Sequence, residues 1–110
     1  MIRRPLELAK NIADAFVKRM DHVVWKVVNE KGILLNLDNG SYFDINPVGL
    51  SVWKLCDGRK NAEEILGRVS RLYRADEKRV KKDVLVFIAE LKRRRLIRLS
   101  SSPARKAGRG

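Results

Sequence analysis

Apolar residues recur along this chain in two periods. Over 6–20, Leu6, Ala9, Ile12, Ala13, Phe16, Val17 and Met20 fall at helical spacing, with Pro5 suited to a first turn. The pattern predicts an amphipathic N-terminal helix that packs on the domain or on a second copy. β-Branched and aromatic residues then crowd HVVWKVVN (22–29), ILLNL (33–37) and SYFDI (41–45), predicting three strands in a meander. Glu30, Lys31 and Gly32 turn the chain after the first strand, and Asp38, Asn39 and Gly40 after the second.

The second turn sets which side chains share a face. A three-residue loop with Gly40 left-handed pairs Leu35 with Phe43 and Ile33 with Ile45, and puts Asn36 beside Tyr42 and Leu34 beside Asp44. A two-residue Asn-Gly loop would set Leu35 against Asp44 and mix the faces. The three-residue loop is therefore expected.

Helical signals follow. Asn46 is suited to cap a helix with Pro47 at its first position, carrying Val48, Val52, Trp53 and Cys56 along one side until Gly58. Asn61 and Glu64 have the spacing of a reciprocal capping box, ahead of Ala62, Ile65, Leu66, Val69, Leu72 and Tyr73. A third helix opens at Asp76 and turns Val80, Val84, Phe87, Ile88 and Leu91 inward. LIRL (96–99) is either a short strand or an extended end, and SSSPARKAGRG reads as a disordered basic tail. The expected fold class is α+β, with a three-stranded antiparallel meander under three helices. The expected divisions are an extension over 1–21, a domain over 22–99 and a tail over 100–110.

Charge adds a partner class. The chain of 110 residues carries +12, distributed as +2 over 1–21, −1 over 22–58 and +11 over 59–110. The basic half should attract something anionic, with an acidic peptide and nucleic acid both fitting. One Cys and one His exclude a disulfide framework and a multi-ligand zinc site, and suit a reducing compartment. Glu7, Lys10, Asn11 and Asp14 interrupt any signal-peptide core, and no apolar run approaches the ~20 residues of a membrane span. A cytoplasmic protein is expected.

No catalytic constellation is legible. His22 lacks a partner and an orienting group. Cys56 lies on a buried helical side, where Cys acts as a small hydrophobe. Glu63–Glu64 and Asp76–Glu77 each sit in a first helical turn, where the helix dipole accounts for them. The glycines do not make a phosphate-cradling loop. No enzyme activity, cofactor or metal is expected. Trp25 and Trp53 read as core anchors, and Tyr42 as either a surface contact or strand filler.

In a meander of this order the strand 41–45 is an edge. It lacks the Lys, Pro or bulge that usually blunts one, so a peptide can add there as a further strand. The competing expectation is that the N-terminal helix, the tail or a second protomer covers it.

At these residues LLNLDNGSYFDINPVGLSVWKLCDG, AEEILGRVSRLY and DVLVFIAELKRRRLI together resemble the PqqD-like family, also called RiPP recognition elements, over about residues 22–99. The specific parts are Gly40–Tyr42–Phe43, Ile45–Asn46, Trp53, Asp57–Gly58 and the spacing from Asp83 to Leu91. The family usually places Gly just after its last helix, where this chain has Arg95.

The resemblance implies a winged-helix-like, non-catalytic domain that binds the leader of a ribosomally made precursor peptide and presents it to a maturase, often a radical SAM enzyme. Pyrroloquinoline quinone assembly is one such pathway. The leader is expected to pair with the backbone of Ser41, Tyr42, Phe43, Asp44 and Ile45, beside the last helix. On that helix Arg79, Asp83, Val86 and Glu90 form one stripe. Val86 and Phe87 are expected to make an apolar pocket, and Arg79 and Lys82 to meet an acidic leader. The alternative is a winged-helix nucleic-acid binder using the basic half, and the state is monomer or homodimer.

Overall fold

The computed structural model describes residues 13–74 and 76–104. Among these residues, two three-stranded antiparallel sheets and three helices of nine residues or more enclose one core. In chain order they are β1 (Phe16–Arg19), β2 (Val23–Val28), β3 (Lys31–Asn36), β4 (Tyr42–Ile45), α1 (Pro47–Leu55), β5 (Asp57–Asn61), α2 (Ala62–Tyr73), α3 (Glu77–Arg93) and β6 (Ile97–Ser100). One sheet has the order β2-β3-β4 and the other β5-β1-β6. The α+β class and the meander stand as expected.

The helical reading of 6–20 holds at Ala13 but not over 16–19. Phe16–Arg19 is a strand, the middle one of the second sheet, paired with β5 and β6. Val17 is fully buried there. Apolar spacing alone fitted either state; two neighbouring strands decided it by offering pairing on both sides. Residues 6–12 of the expected helix lie outside the described residues. The segment 57–61, expected as a helix stop and loop, is β5, and Gly58 has φ +85° there. LIRL does become a strand. The chain stays docked beyond it, since Ala104 N–H donates to Gly58 O at 2.7 Å.

The β3–β4 register differs by one residue from the expectation. Leu34 faces Phe43, Leu35 faces Tyr42 and Gly32 faces Ile45. The loop is therefore four residues, 37–40. Asn36 N–H donates to Ser41 O and Gly40 N–H to Asn36 O, each at 2.8 Å. Asn36 is buried, and its Oδ1 accepts from Asp38 N–H at 2.9 Å. That bond satisfies a polar group the expected register had put on the outer face. Leu34, fully buried, takes the core position expected for its neighbours Ile33 and Leu35, which are only half-buried.

Local caps are as read. Asn46 Oδ1 accepts from Gly49 N–H at 2.7 Å, Asn61 and Glu64 close a capping box, and Asp76 accepts from Lys78 N–H. α3 buries Val80, Val84, Ile88 and Leu91 as expected and Leu85 besides, whereas Phe87 is half-buried. Val48, Leu72 and Tyr73, expected on inward faces, are exposed. Trp53 is fully buried, but Trp25 is only its partly exposed neighbour, edge-on at 6.4 Å. Arg19 bonds the Trp53 and Lys54 carbonyls at 2.9 and 3.0 Å and lies 5.7 Å from the Trp25 ring, tying β1 to the C-terminus of α1.

Arg95, at φ +61°, ends α3 in a left-handed turn without glycine. Leu96 N–H donates to Leu91 O and Arg95 N–H to Lys92 O, both at 2.9 Å, the paired bonds of a Schellman motif. His22 Nε2 stands 3.0 Å from Arg95 O, a structural tether between β2 and that turn.

Candidate functional site

β4 is an edge strand whose inner side pairs with β3. Because residue 41 turns its carbonyl to Asn36, alternation turns the N–H and C=O of Phe43 and Ile45 toward β3, and those of Tyr42 and Asp44 outward. Among the described residues, nothing hydrogen-bonds to that outer rim. The expected covering by an N-terminal helix or tail is not seen among them.

The wall beside the rim comes from α1 and α3. At Gly49 a Cβ would stand 3.2 Å from Phe87 Cζ and 3.3 Å from Ile45 Cβ, so the missing side chain lets Phe87 close on the end of β4. One heptad along α3, the Arg94 guanidinium lies 4.5 Å from the centre of the Phe43 ring. Glu90 holds it there, accepting from Arg94 Nε and Arg93 Nη2 at 2.6 Å each. These two arginines keep the Glu90 carboxyl ionised, its pKa down at about 2.

The structure thus sets Phe87 beside Ile45 at Gly49 and Arg94, held by Glu90, over Phe43, with Ser41, Tyr42 and Asp44 along the open edge. Tyr42 is 69% exposed and points to the outer sheet face, opposite Leu35. Asp83 and Arg79 continue the exposed stripe toward the start of α3, and Val86, 56% exposed, is apolar surface beside it. Lys82 is about 140° round the helix from Phe87 and turns away. Sequence reasoning missed Arg94 and Gly49. The i, i+4 spacing of Glu90 and Arg94 was a legible signal for an ordered arginine, but not for its contact with Phe43.

His22, read from the sequence as lacking a partner, has Asp38 Oδ2 3.8 Å and Arg95 O 3.0 Å from its Nε2. Cys56 is fully buried, its Sγ donating to Val52 O, and burial pushes its pKa up to about 12, so it stays a thiol. Among the described residues, no cluster of acidic, His and Cys side chains is placed to hold a metal, and no helix is long and apolar enough to cross a membrane.

A solved complex of TbiB1 with the TbiA(beta) leader peptide is similar over 73% of this chain and 93% of its own, at 31% identity and a TM-score of 0.66. The solution structure of the PqqD part of Methylobacterium extorquens PqqCD, described as a functional stand-alone RiPP recognition element, is similar over 79% and 92%, at 25% identity and a TM-score of 0.64. A lasso peptide synthetase B1 complexed with its leader peptide shares the fold over 76% and 99%, at 19% identity and a TM-score of 0.63. No curated protein matches the chain. The sequence model for the family described as Coenzyme PQQ synthesis protein D (PqqD) matches residues 31–97, and by that match, carried on this fold, the chain belongs to the PqqD family.

Proposed function

We propose that this chain is a RiPP recognition element. It binds the leader of a ribosomally made precursor peptide as a strand added antiparallel to β4, and presents the peptide to a modifying enzyme without catalysing a step itself. The observation that carries this is the open rim of Tyr42 and Asp44 on the edge strand, with Phe87 and Arg94 of α3 beside it. Backbone pairing along 41–45 supplies affinity, and the side chains of α3 beside it supply selectivity. Val86 and Phe87 supply the apolar part. Arg79 meets an acidic residue of the leader, and Asp83 and Glu90 border the same side of α3; Lys82, turned away from Phe87, is not assigned to the leader. Glu90 is already paired, so its role is to aim Arg94. The similar chain TbiB1, complexed with a leader peptide, supports the same use of this fold.

The recognition unit takes in β1 as well as 22–99, because β1 is the middle strand of its second sheet. It works in the cytoplasm, with a maturase such as a radical SAM enzyme. The +12 charge supports a second reading, nucleic-acid binding through a winged-helix arrangement of α2, α3 and β6. The exposed side of α3 carries no Asn or Gln to read adenine edges, which favours the peptide. Titrating the labelled chain with leader peptides of candidate precursors from short reading frames near its gene is expected to shift the amides of 41–45 and of Phe87 to Arg94. If duplex DNA shifts α3 and the peptide shifts neither element, the proposal fails.

A further inference from the structure

An open groove lies between α1 and α2, about 530 Å³, lined by Ser51, Lys54, Leu55, Arg68, Arg71 and Leu72. Its floor is apolar: Leu55 is half-buried and Leu72 is 66% exposed, with exposed Val48 and Tyr73 beside it. Lys54, Arg68 and Arg71 stand round it, no acid lines it, and none of the three makes an ion pair among the described residues. One end is fixed, since Tyr73 Oη lies 2.8 Å from Ser51 Oγ and donates to Pro47 O at 3.2 Å.

Single exposed leucines are ordinary, and so are single exposed arginines. An apolar floor whose charged lining residues are all cationic is a more particular surface. It complements a segment that carries Asp or Glu alongside Leu- or Phe-type side chains.

Its placement separates it from the β4 edge. Gly49 faces Phe87 and Ile45, whereas Ser51 and Leu55 lie about 200° and 240° round α1 from Gly49. The two surfaces are back to back across one helix, so both can be occupied at once.

We infer that the α1–α2 groove is a docking surface for an acidic, apolar-bearing segment of the modifying enzyme, used while the precursor peptide occupies β4. That the segment belongs to that enzyme rests on the presentation reading; the chemistry of the segment rests on the groove alone.

The test is an amide-shift titration of the full chain with a short synthetic amphipathic helix, Glu on one face and Leu on the other. Shifts are expected at Ser51, Leu55, Arg71 and Leu72, with affinity falling about tenfold in Arg68→Glu/Arg71→Glu. That variant should still bind the precursor peptide, and Asp44→Pro should still bind the acidic helix, so failure at one surface is distinguishable from failure at the other. Three results overturn the inference. They are shifts confined to β4 and α3, equal binding of a helix with every Leu replaced by Ser, and a DNA duplex that competes for the groove more strongly than the acidic helix.

Discussion

The Arg94 guanidinium sits over the Phe43 ring at 4.5 Å, joining the end of α3 to an edge strand far from it in the chain. At a half-exposed site such a contact contributes about 0.5–1 kcal/mol. Arg94→Ala is expected to lose that amount in chemical denaturation, and a double-mutant cycle with Phe43→Leu should return most of it as coupling. Zero coupling would show that the two side chains merely coincide.

Glu90 gives this contact a pH dependence. Hydrogen bonds from Arg93 and Arg94 hold its carboxyl at about 2 in the folded chain, below the ordinary 4.5. A group depressed on folding stabilises fully above its unfolded value and loses that contribution as pH falls through its folded one. The loss should therefore run from about pH 4.5 down to about 2. A carboxyl-carbon titration of Glu90 with a midpoint near the ordinary value would refute the arrangement.

Proline substitutions along β4 should separate the rim from the ladder. Asp44→Pro removes an outward donor and should leave a folded chain whose leader affinity drops about tenfold. Phe43→Pro removes a donor facing β3 and should lower the melting temperature instead. Leader binding by Asp44→Pro as tight as the parent's would count against strand addition.

Arg95 holds a left-handed backbone that glycine adopts without a Cβ penalty. Arg95→Gly should stabilise the fold by about 0.5–1 kcal/mol, the relief exceeding the extra freedom of the unfolded chain. The bond from His22 is to the backbone and survives the change. No gain in a urea midpoint would mean that the turn carries no strain.

Gly32 leaves room that β4 needs. A Cβ there would stand 2.7 Å from Ile45 Cγ1 and 3.0 Å from Leu50 Cδ1. Gly32→Ala should cost about 1–3 kcal/mol by overpacking and displace Ile45, so leader affinity falls with stability. An unchanged denaturation midpoint would show that Ile45 and Leu50 yield freely.

What the chain determined by itself is what near neighbours decide. The caps at Asn46, Asn61 and Asp76 were legible because each side chain bonds a backbone group within three residues. The inward row Val80, Val84, Ile88 and Leu91 was legible because a helix repeats its faces at fixed spacing. The edge position of 41–45 followed from the meander order. Only tertiary structure could make 16–19 a strand, since its apolar spacing suited a helix until β5 and β6 flanked it. It also chose the four-residue loop, because Asn36 is satisfied within its own turn while Leu34 fills the core. The same holds for Arg94 on Phe43 and for the exposure of Leu72 and Tyr73 beside α1. Those outcomes depend on which distant surfaces meet, and periodicity along one segment carries no information about its neighbours.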